Sequence, residues 1–438
     1  MEATIFDSFH PPSPELIDDC VHCGFCLPTC PTYLLWGEEM DSPRGRIYLM
    51  NMGNRGQAEL NSTYVRHFDQ CLGCMACVTA CPSGVQYDKL IEATRAQIER
   101  HYSRTLPDKL FRRLLFALFP YPNRLRLLAA PLWLYQISGL RRLVQHSGIL
   151  ELLPARLKAM EALLPPVSFS GLRSRLPREL AAHGTQRRRV GLLLGCVQRV
   201  FFAGVNAATA RVLVAEGCEV VVPPDQSCCG ALMVHAGEEA DALALARRMI
   251  DTWEKAEIDT LVINAAGCGS TLKEYGYLLR DDPSYAARAR AFSAKCKDIM
   301  EFLAELEPHA PRYPLTLRVA YHDACHLQHA QGIKLQPRAV LHTIPGLEIA
   351  EIEEAAICCG SAGIYNLTEP EPAQQLGDRK VKHVLATGAD LIATSNPGCL
   401  LQIMNGLERA GHPLPVVHPV ELIDASIRGI IPAALRRS

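Results

Sequence analysis

The chain has 438 residues, which suggests about three folded units at roughly 150 residues each. Its composition, 48% hydrophobic and 21% charged, is that of a globular protein and excludes a disordered or collagen-like chain. Forty-five basic against 46 acidic side chains leave a net charge of −1, so no basic footprint for nucleic acid exists.

The first residues, Met1-Glu2-Ala3-Thr4-Ile5-Phe6-Asp7, lack the basic-then-apolar pattern of a secretory leader. The 18 cysteines are too sparse for a disulfide scaffold in a chain of this length. Eight of them fall before residue 82, and such crowding points to metal or redox work.

Residues 1–105 hold those eight among short helical patches. Cys20-x-x-Cys23-x-x-Cys26-x-x-x-Cys30-Pro31 recurs as Cys71-x-x-Cys74-x-x-Cys77-x-x-x-Cys81-Pro82. This is the bacterial ferredoxin spacing for [4Fe–4S] clusters, proline included. Two-residue gaps let one tight turn aim three thiolates at one cube, while the fourth cysteine points to the neighbouring one. In that crossed arrangement Cys20, Cys23, Cys26 and Cys81 hold the first cluster, and Cys71, Cys74, Cys77 and Cys30 the second. Structural zinc fits poorly, because it favours two separated ligand pairs. Small residues such as Gly24, Gly73 and Ala76 allow close approach and keep water away. His22 reads as a neighbour or surface residue and not a ligand. Asp41-Ser42-Pro43-Arg44-Gly45-Arg46 either docks a partner or holds its own fold by a surface ion pair, the second being preferred. Two clusters make this unit a one-electron relay.

Residues 106–188 form a helical connector and a linker. Up to about residue 165 they are rich in Leu, Arg and aromatics, as in Leu110-Phe111-Arg112-Arg113-Leu114-Leu115-Phe116. The longest uncharged apolar stretch, Leu127 to Leu140, has 14 residues and contains Pro131, short of the roughly 18–20 needed to span a bilayer. No transmembrane segment is expected. Arg112, Arg113, Arg124, Arg126, Arg141 and Arg142 punctuate apolar residues as in an interfacial helix, and equally as in a helix pair that packs domains together. Residues 166–188, with Arg187-Arg188-Arg189 at their end, read as the linker.

Residues 189–310 and 311–438 are two copies of one α/β module. Cys196, Cys228, Cys229 and Cys268 match Cys325, Cys358, Cys359 and Cys399 at offsets of 129, 130, 130 and 131. Each copy sets its cysteines after strand-like runs, where open sheets place their sites. An offset this long marks a duplication and not a solenoid. Adjacent cysteines on a tight turn, with Gly230 and Gly360 as permissive backbone, can reach one metal centre. Buried inert thiols are the weaker reading. The fold class is therefore a mostly helical two-cluster ferredoxin-type domain followed by a duplicated α/β Cys-Cys-Gly (CCG) module. His322, His326 and His329 surround Cys325 and could relay protons, although satisfied core or surface histidines are preferred. Cys218 and Cys296 lie outside every motif and read as buried side chains. No G-x-G-x-x-G follows a strand and no Walker motif occurs, so FAD or NAD is not expected on this chain.

Two ferredoxin runs followed by two CCG modules make the chain similar, over nearly its whole length, to the iron–sulfur subunits of glycolate oxidase (glycolate dehydrogenase). The resemblance is carried by Val21-His22-Cys23-Gly24-Phe25-Cys26, Pro31-Thr32-Tyr33 and Ser42-Pro43-Arg44-Gly45-Arg46-Ile47-Tyr48-Leu49. Asn206-Ala207-Ala208-Thr209-Ala210-Arg211-Val212-Leu213, Gly267-Cys268-Gly269, Leu327-Gln328-His329-Ala330-Gln331 and Cys358-Cys359-Gly360-Ser361-Ala362-Gly363 agree as well. The same layout occurs in subunits of anaerobic glycerol-3-phosphate dehydrogenase, lactate-utilisation and heterodisulfide reductase systems.

The resemblance implies an FAD-binding flavoprotein partner that oxidises glycolate, and D-lactate, to the 2-oxo acid. Electrons then pass through two [4Fe–4S] clusters to a quinone or other membrane acceptor. It also implies a cytoplasmic place, peripheral on the cytoplasmic face of the inner membrane, with no catalytic residue on this chain for the carbon chemistry. One departure concerns the module ends. Heterodisulfide reductases carry a fifth cysteine there, whereas Thr271 and Gln402 stand at those positions here. An additional metal or cluster at the CCG modules therefore stays open. The alternatives are an equivalent subunit serving glycerol-3-phosphate or lactate, a thiol–disulfide redox subunit, and an adaptor whose clusters only hold the fold.

Overall fold

The computed structural model describes residues 4–167, 171 and 173–435. Ser168, Phe169, Ser170 and Leu172 of the expected linker lie outside the described residues. The architecture is mixed α/β, with helices dominating the first third and two largely parallel sheets the remainder.

Before residue 105, three helices, Pro43–Asn54, Ser62–Asp69 and Tyr87–His101, surround the two cysteine runs. The first begins at Pro43, which has no N–H to leave unpaired, and the Ser42 side chain accepts from the Gly45 N–H. Asn61 caps the second in the same way. Their inner faces bury Ile47, Met50, Phe68, Leu90 and Ile91 in one core, each worth about 1.5–3 kcal/mol. Gly45 is dictated by packing, because a Cβ there would sit 2.0 Å from the Glu39 carbonyl oxygen.

The connector contains the helices Leu106–Leu118, Pro122–Ile137, Leu140–His146 and Ala155–Ala162. They bury little, chiefly Leu115, Leu125 and Ala129. Among the described residues, 14 of the 22 exposed large hydrophobic side chains lie between Leu106 and Leu157. That is an unusual concentration for a surface in water. None of the described helices is long and apolar enough to cross a membrane.

The first sheet holds β1 (Glu179–Leu180), β2 (Arg188–Leu193), β3 (Cys218–Val221), β4 (Thr260–Ile263) and β5 (Cys296–Asp298) in the order β1-β3-β2-β4-β5. Only β1 is antiparallel to its neighbour. The second holds β6 (Leu317–His322), β7 (Leu347–Glu351), β8 (Leu391–Thr394) and β9 (Val416–Val417) in the order β7-β6-β8-β9, all parallel. Apart from β1 the two orders coincide, which makes the repeat visible in the topology. Their central strands are continuous apolar runs because helices cover both faces. Val190, Leu192 and Val262 of one sheet share a core with Val319, Tyr321 and Leu391 of the other. The helices Ala203–Ala215 and Pro419–Ile427 pack against each other across that join, with an Arg211–Asp424 ion pair at 2.6 Å.

Candidate functional site

The structure brings the eight early cysteines into two adjacent small cavities. Cys20, Cys23, Cys26 and Cys81 line one, and Cys30, Cys71, Cys74 and Cys77 line the other, with Cys77 reaching both. The run turns where a left-handed backbone is tolerated, at Gly24 (φ 88°) and Gly73 (φ 57°). Each closing cysteine precedes proline, and Pro31 starts the short helix Pro31–Trp36. The Gly73 N–H and the Tyr87 hydroxyl lie 3.4 and 3.5 Å from the Cys71 sulfur, and the Thr32 hydroxyl lies 3.2 Å from that of Cys30. Every cysteine is a free thiol. Four free thiols around each cavity, with polar hydrogens nearby to steady thiolate charge, are the donor set an iron–sulfur cluster takes.

Charge supports that fit at the inner cavity. Burial pushes the Cys71 thiol up, but the guanidiniums of Arg46 and Arg95 outweigh it and hold the group below its ordinary value. Cys74 and Cys77 are pushed well above theirs, first by burial and then by neighbouring sulfurs. Arg46 is only 1% exposed and donates to His67 O at 2.5 Å, Thr32 Oγ1 at 3.1 Å and Asp41 Oδ1 at 3.4 Å. The ion pair expected at the surface is therefore inside, because Arg46 stands on the inner face of its helix and is the scaffold of the second cysteine run. Arg44 is the outward member, pairing with Glu39 at 2.6 Å and donating to His22 O. His22 itself is exposed. The two cavities differ in access: Cys23, Val21 and Phe25 are exposed, whereas Cys71, Cys74 and Cys30 are buried.

The inner cavity abuts the second module. Leu72, Cys74 and Ala76 share an apolar cluster with Cys325, Cys358, Ala362 and Tyr365. Thr79 Oγ1 meets His329 Nδ1 at 2.7 Å, and the other ring nitrogen of His329 meets Ala356 O at 3.0 Å. His329 is thus a satisfied, buried histidine. A second bridge escapes sequence reasoning. His235 Nε2 meets Leu72 O at 2.9 Å while Arg95 donates to His235 O at 2.8 Å. No motif marks His235. Its signal lies in the glycines beneath it: a Cβ on Gly73 would come 2.9 Å from His235 Nε2, and one on Gly237 2.5 Å from the Arg95 backbone.

The module cysteines follow the carboxyl ends of their strands. Cys196 and Cys325 follow β2 and β6, Cys228-Cys229 and Cys358-Cys359 follow β3 and β7, and Cys268 and Cys399 lie in the first turn of the helices Ala266–Lys273 and Pro397–Arg409. Gly230 (φ 79°) and Gly360 (φ 90°) turn the chain after each pair. Sulfur-to-sulfur approaches are 3.5 Å for Cys196–Cys228 and 3.9 Å for Cys325–Cys358. A single cavity of about 380 Å³ is walled by Cys196, Cys228, Cys229, Cys268, Cys325, Cys358 and Cys399, and roofed by the connector through Leu118, Phe119, Leu132 and Met160. Cys218 and Cys296 are buried away from it.

The two modules are not electrostatic twins. Hydrogen bonding from Cys228 and burial push Cys196 well up. Cys229 is pushed up as well, because the Cys268 sulfur and burial outweigh the hydrogen bond from Cys228. In the second module Cys325 is held well below the ordinary thiol value by Cys358 and then by His326, and Cys359 by Cys358, Cys399 and then His322. His326 lies 3.6 Å from the Cys325 sulfur, within a single π-turn, His326–Ala330, that has no counterpart in the first module among the described residues. Glu274, also on the cavity wall, is pushed up to about 7 by burial and by Asp88.

Comparison with known proteins agrees with this layout. Residues 16–85 match a 4Fe-4S dicluster domain, residues 107–164 the linker region of glycolate oxidase iron-sulfur subunits, and residues 190–273 and 319–404 a cysteine-rich CCG domain. A probable glycolate oxidase iron-sulfur subunit of Bacillus subtilis is 44% identical over 91% of this chain and 90% of its own length. The glycolate oxidase iron-sulfur subunit of Escherichia coli is 36% identical over 94% of this chain and 95% of its own. A hypothetical protein from Helicobacter pylori shares the fold, with a TM-score of 0.53 at 12% identity over 88% of this chain and 68% of that one.

Proposed function

The chain belongs to the glycolate oxidase iron–sulfur subunit family, an electron-transfer component of an oxidoreductase complex, and from that premise we propose a path through it. Cys20, Cys23, Cys26 and Cys81 hold one [4Fe–4S] cluster and Cys71, Cys74, Cys77 and Cys30 a second. Bound there, the clusters supply one-electron carriage between a two-electron donor and an acceptor. The observation that carries this reading is the sorting of eight thiols into two adjacent cavities that share Cys77, the inner one packed on the CCG module.

Electrons enter at the exposed edge marked by Cys23, Val21 and Phe25, which offers an apolar surface to an FAD-bearing partner that oxidises glycolate. Arg46 and Arg95 compensate negative charge at the inner cavity. Electrons leave at the cavity of about 380 Å³ between the modules, which accepts a quinone ring. Reducing a quinone to a quinol takes two electrons and two protons, and His326 and Glu274 stand on the wall to deliver protons. The exposed leucines of the connector rest on the membrane from which the quinone comes. The four units of this path are residues 1–105, 106–188, 189–310 and 311–438.

The test is anaerobic reconstitution with the co-purifying flavoprotein. Glycolate should bleach the iron–sulfur absorption of this chain only when the flavoprotein is present, and the chain alone should not oxidise glycolate with a dye as acceptor. Turnover by the isolated chain, or a complex whose absorption ignores glycolate, would overturn the reading.

A further inference from the structure

Duplication offers an internal control, since corresponding residues stand at the ends of corresponding strands in the two copies. His322, the last residue of β6, is such a position. With the offset of 129 that relates Cys196 to Cys325, its counterpart at the end of β2 is Leu193 (322 − 129 = 193). Leu193 is a plain core side chain, 1% exposed. His322 is equally buried, at 1%, yet neither of its ring nitrogens has a hydrogen-bond partner. An imidazole in that state is costly in a core, so the first copy's leucine would be the better core residue.

The imidazole does have neighbours of another kind. A ring nitrogen of His322 and the sulfurs of Cys359 and Cys399 all lie within 4.8 Å of one another, and all three residues are buried. Tetrahedral binding at about 2.3 Å for sulfur and about 2.0 Å for nitrogen sets neighbouring donors about 3.5–3.8 Å apart. Closing the trio onto an ion therefore needs shifts of about an ångström or less. A supporting contact is already in place: Asn396 Nδ2 donates to the Cys399 sulfur at 3.6 Å.

A second substitution between the copies points the same way. Ala242 and Ala373 lie under Gly230 and Gly360, an offset of 131 that places Lys380 where the first copy has Met249 (380 − 131 = 249). Met249 is fully buried, and so, at 2% exposure, is Lys380, whose ammonium donates to Glu354 O at 2.7 Å. A cation buried beside the second CCG turn balances thiolate charge at Cys358 and Cys359, whereas in the first copy the nearby cation is Arg199, beside Cys196 and Cys228.

We propose that the second module, and not the first, holds a single divalent transition-metal ion, ligated by His322, Cys359 and Cys399. Mixed imidazole and thiolate donors in a tetrahedral arrangement select zinc or ferrous iron over magnesium or calcium. The site is separate from the eight amino-terminal thiols and needs no inference about the electron donor.

The test uses the full chain, purified anaerobically, with metals and acid-labile sulfide counted per chain. His322→Leu, which installs the first copy's residue, should lose about one metal ion while the visible absorption of the amino-terminal clusters is unchanged. His322→Cys should keep that ion. Cobalt(II) added to metal-depleted chain should give the intense visible bands of a tetrahedral thiolate site. Those bands should shift in His322→Cys, where nitrogen becomes sulfur, and vanish in His322→Leu. If His322→Leu does not fold, the shift in His322→Cys still decides. An unchanged metal count and cobalt spectrum in the variants would overturn the proposal. So would loss of several irons together with sulfide, which would show a cluster in place of one ion. Neither result bears on glycolate-driven reduction of the amino-terminal clusters.

Discussion

Replacing Arg46 by methionine tests the buried ion pair beneath the second cysteine run. The guanidinium is buried and donates to three acceptors, of which Asp41 Oδ1 is the charged one. In Arg46→Met the thioether side chain would fill most of the volume but leave His67 O without its donor. Asp41, 4% exposed, would keep the His67 imidazole at 2.8 Å and the Gln70 side-chain amide at 3.1 Å. Removing one partner of a buried pair costs about 3–5 kcal/mol, mostly through the stranded charge. At a urea slope of about 2 kcal/mol/M, the transition that bleaches the iron–sulfur absorption should fall by about 1.5–2.5 M. Adding Asp41→Asn removes the stranded charge. The double variant should therefore lose less than the sum of the singles, with about 1–3 kcal/mol of coupling. Anaerobic urea titration followed by visible absorption and circular dichroism reads both. A midpoint within about 0.3 M of the parent for Arg46→Met, or costs that simply add, would refute the buried-pair argument.

The crossed ligand sets are tested by Cys30→Ser and Cys81→Ser. Cys30→Ser should perturb the cluster of the 71–77 run and Cys81→Ser that of the 20–26 run, as seen by paramagnetic resonance. Uncrossed loss would contradict the sorting seen in the cavities. Glu274 makes stability depend on pH. Its carboxyl is raised from 4.5 to about 7 in the folded chain, so its contribution is full below pH 4.5 and is lost as pH rises through about 7. That amounts to about 3 kcal/mol at most. Glu274→Gln should flatten this fall in urea midpoints between about pH 5 and pH 8, and an equally steep profile would exclude Glu274 as its source. For the connector, replacing Leu127, Leu134 and Leu152 by glutamate should abolish flotation of the chain with anionic liposomes. Equal flotation would end the membrane-facing role.

The parts of the molecule legible in the sequence are those whose chemistry is local. The two ferredoxin runs declare themselves because ligand spacing within a turn is a short-range constraint. The repeat is visible because four cysteine pairs keep a near-constant offset. Packing partners distant in the chain are not legible. No motif near His235 tells that it will cap the Leu72 carbonyl, 163 residues away. Arg46 reads as a surface residue because an arginine beside an aspartate is usually solvated, and only the tertiary core around His67 turns it inward. In the connector's first helix, Leu106–Leu118, apolar and basic residues alternate as an amphipathic helix requires, but Arg112 does not face a membrane. It is buried against Glu99 and the Ala236 carbonyl, so its charge fixes the connector to the first module. His322 stands out in the sequence only as a neighbour of Cys325, and its approach to Cys359 and Cys399 appears only once β6 and β8 are paired.

Eight sulfurs must hold two redox centres close enough to exchange electrons. Dithionite reduction of the anaerobically purified chain, followed by low-temperature paramagnetic resonance, examines this directly. Two spin-coupled cubane signals are predicted, with line shapes that reveal interaction between them, from about eight irons bound by the amino-terminal cysteines. A colourless chain with no signal, or a single isolated cluster, would contradict it.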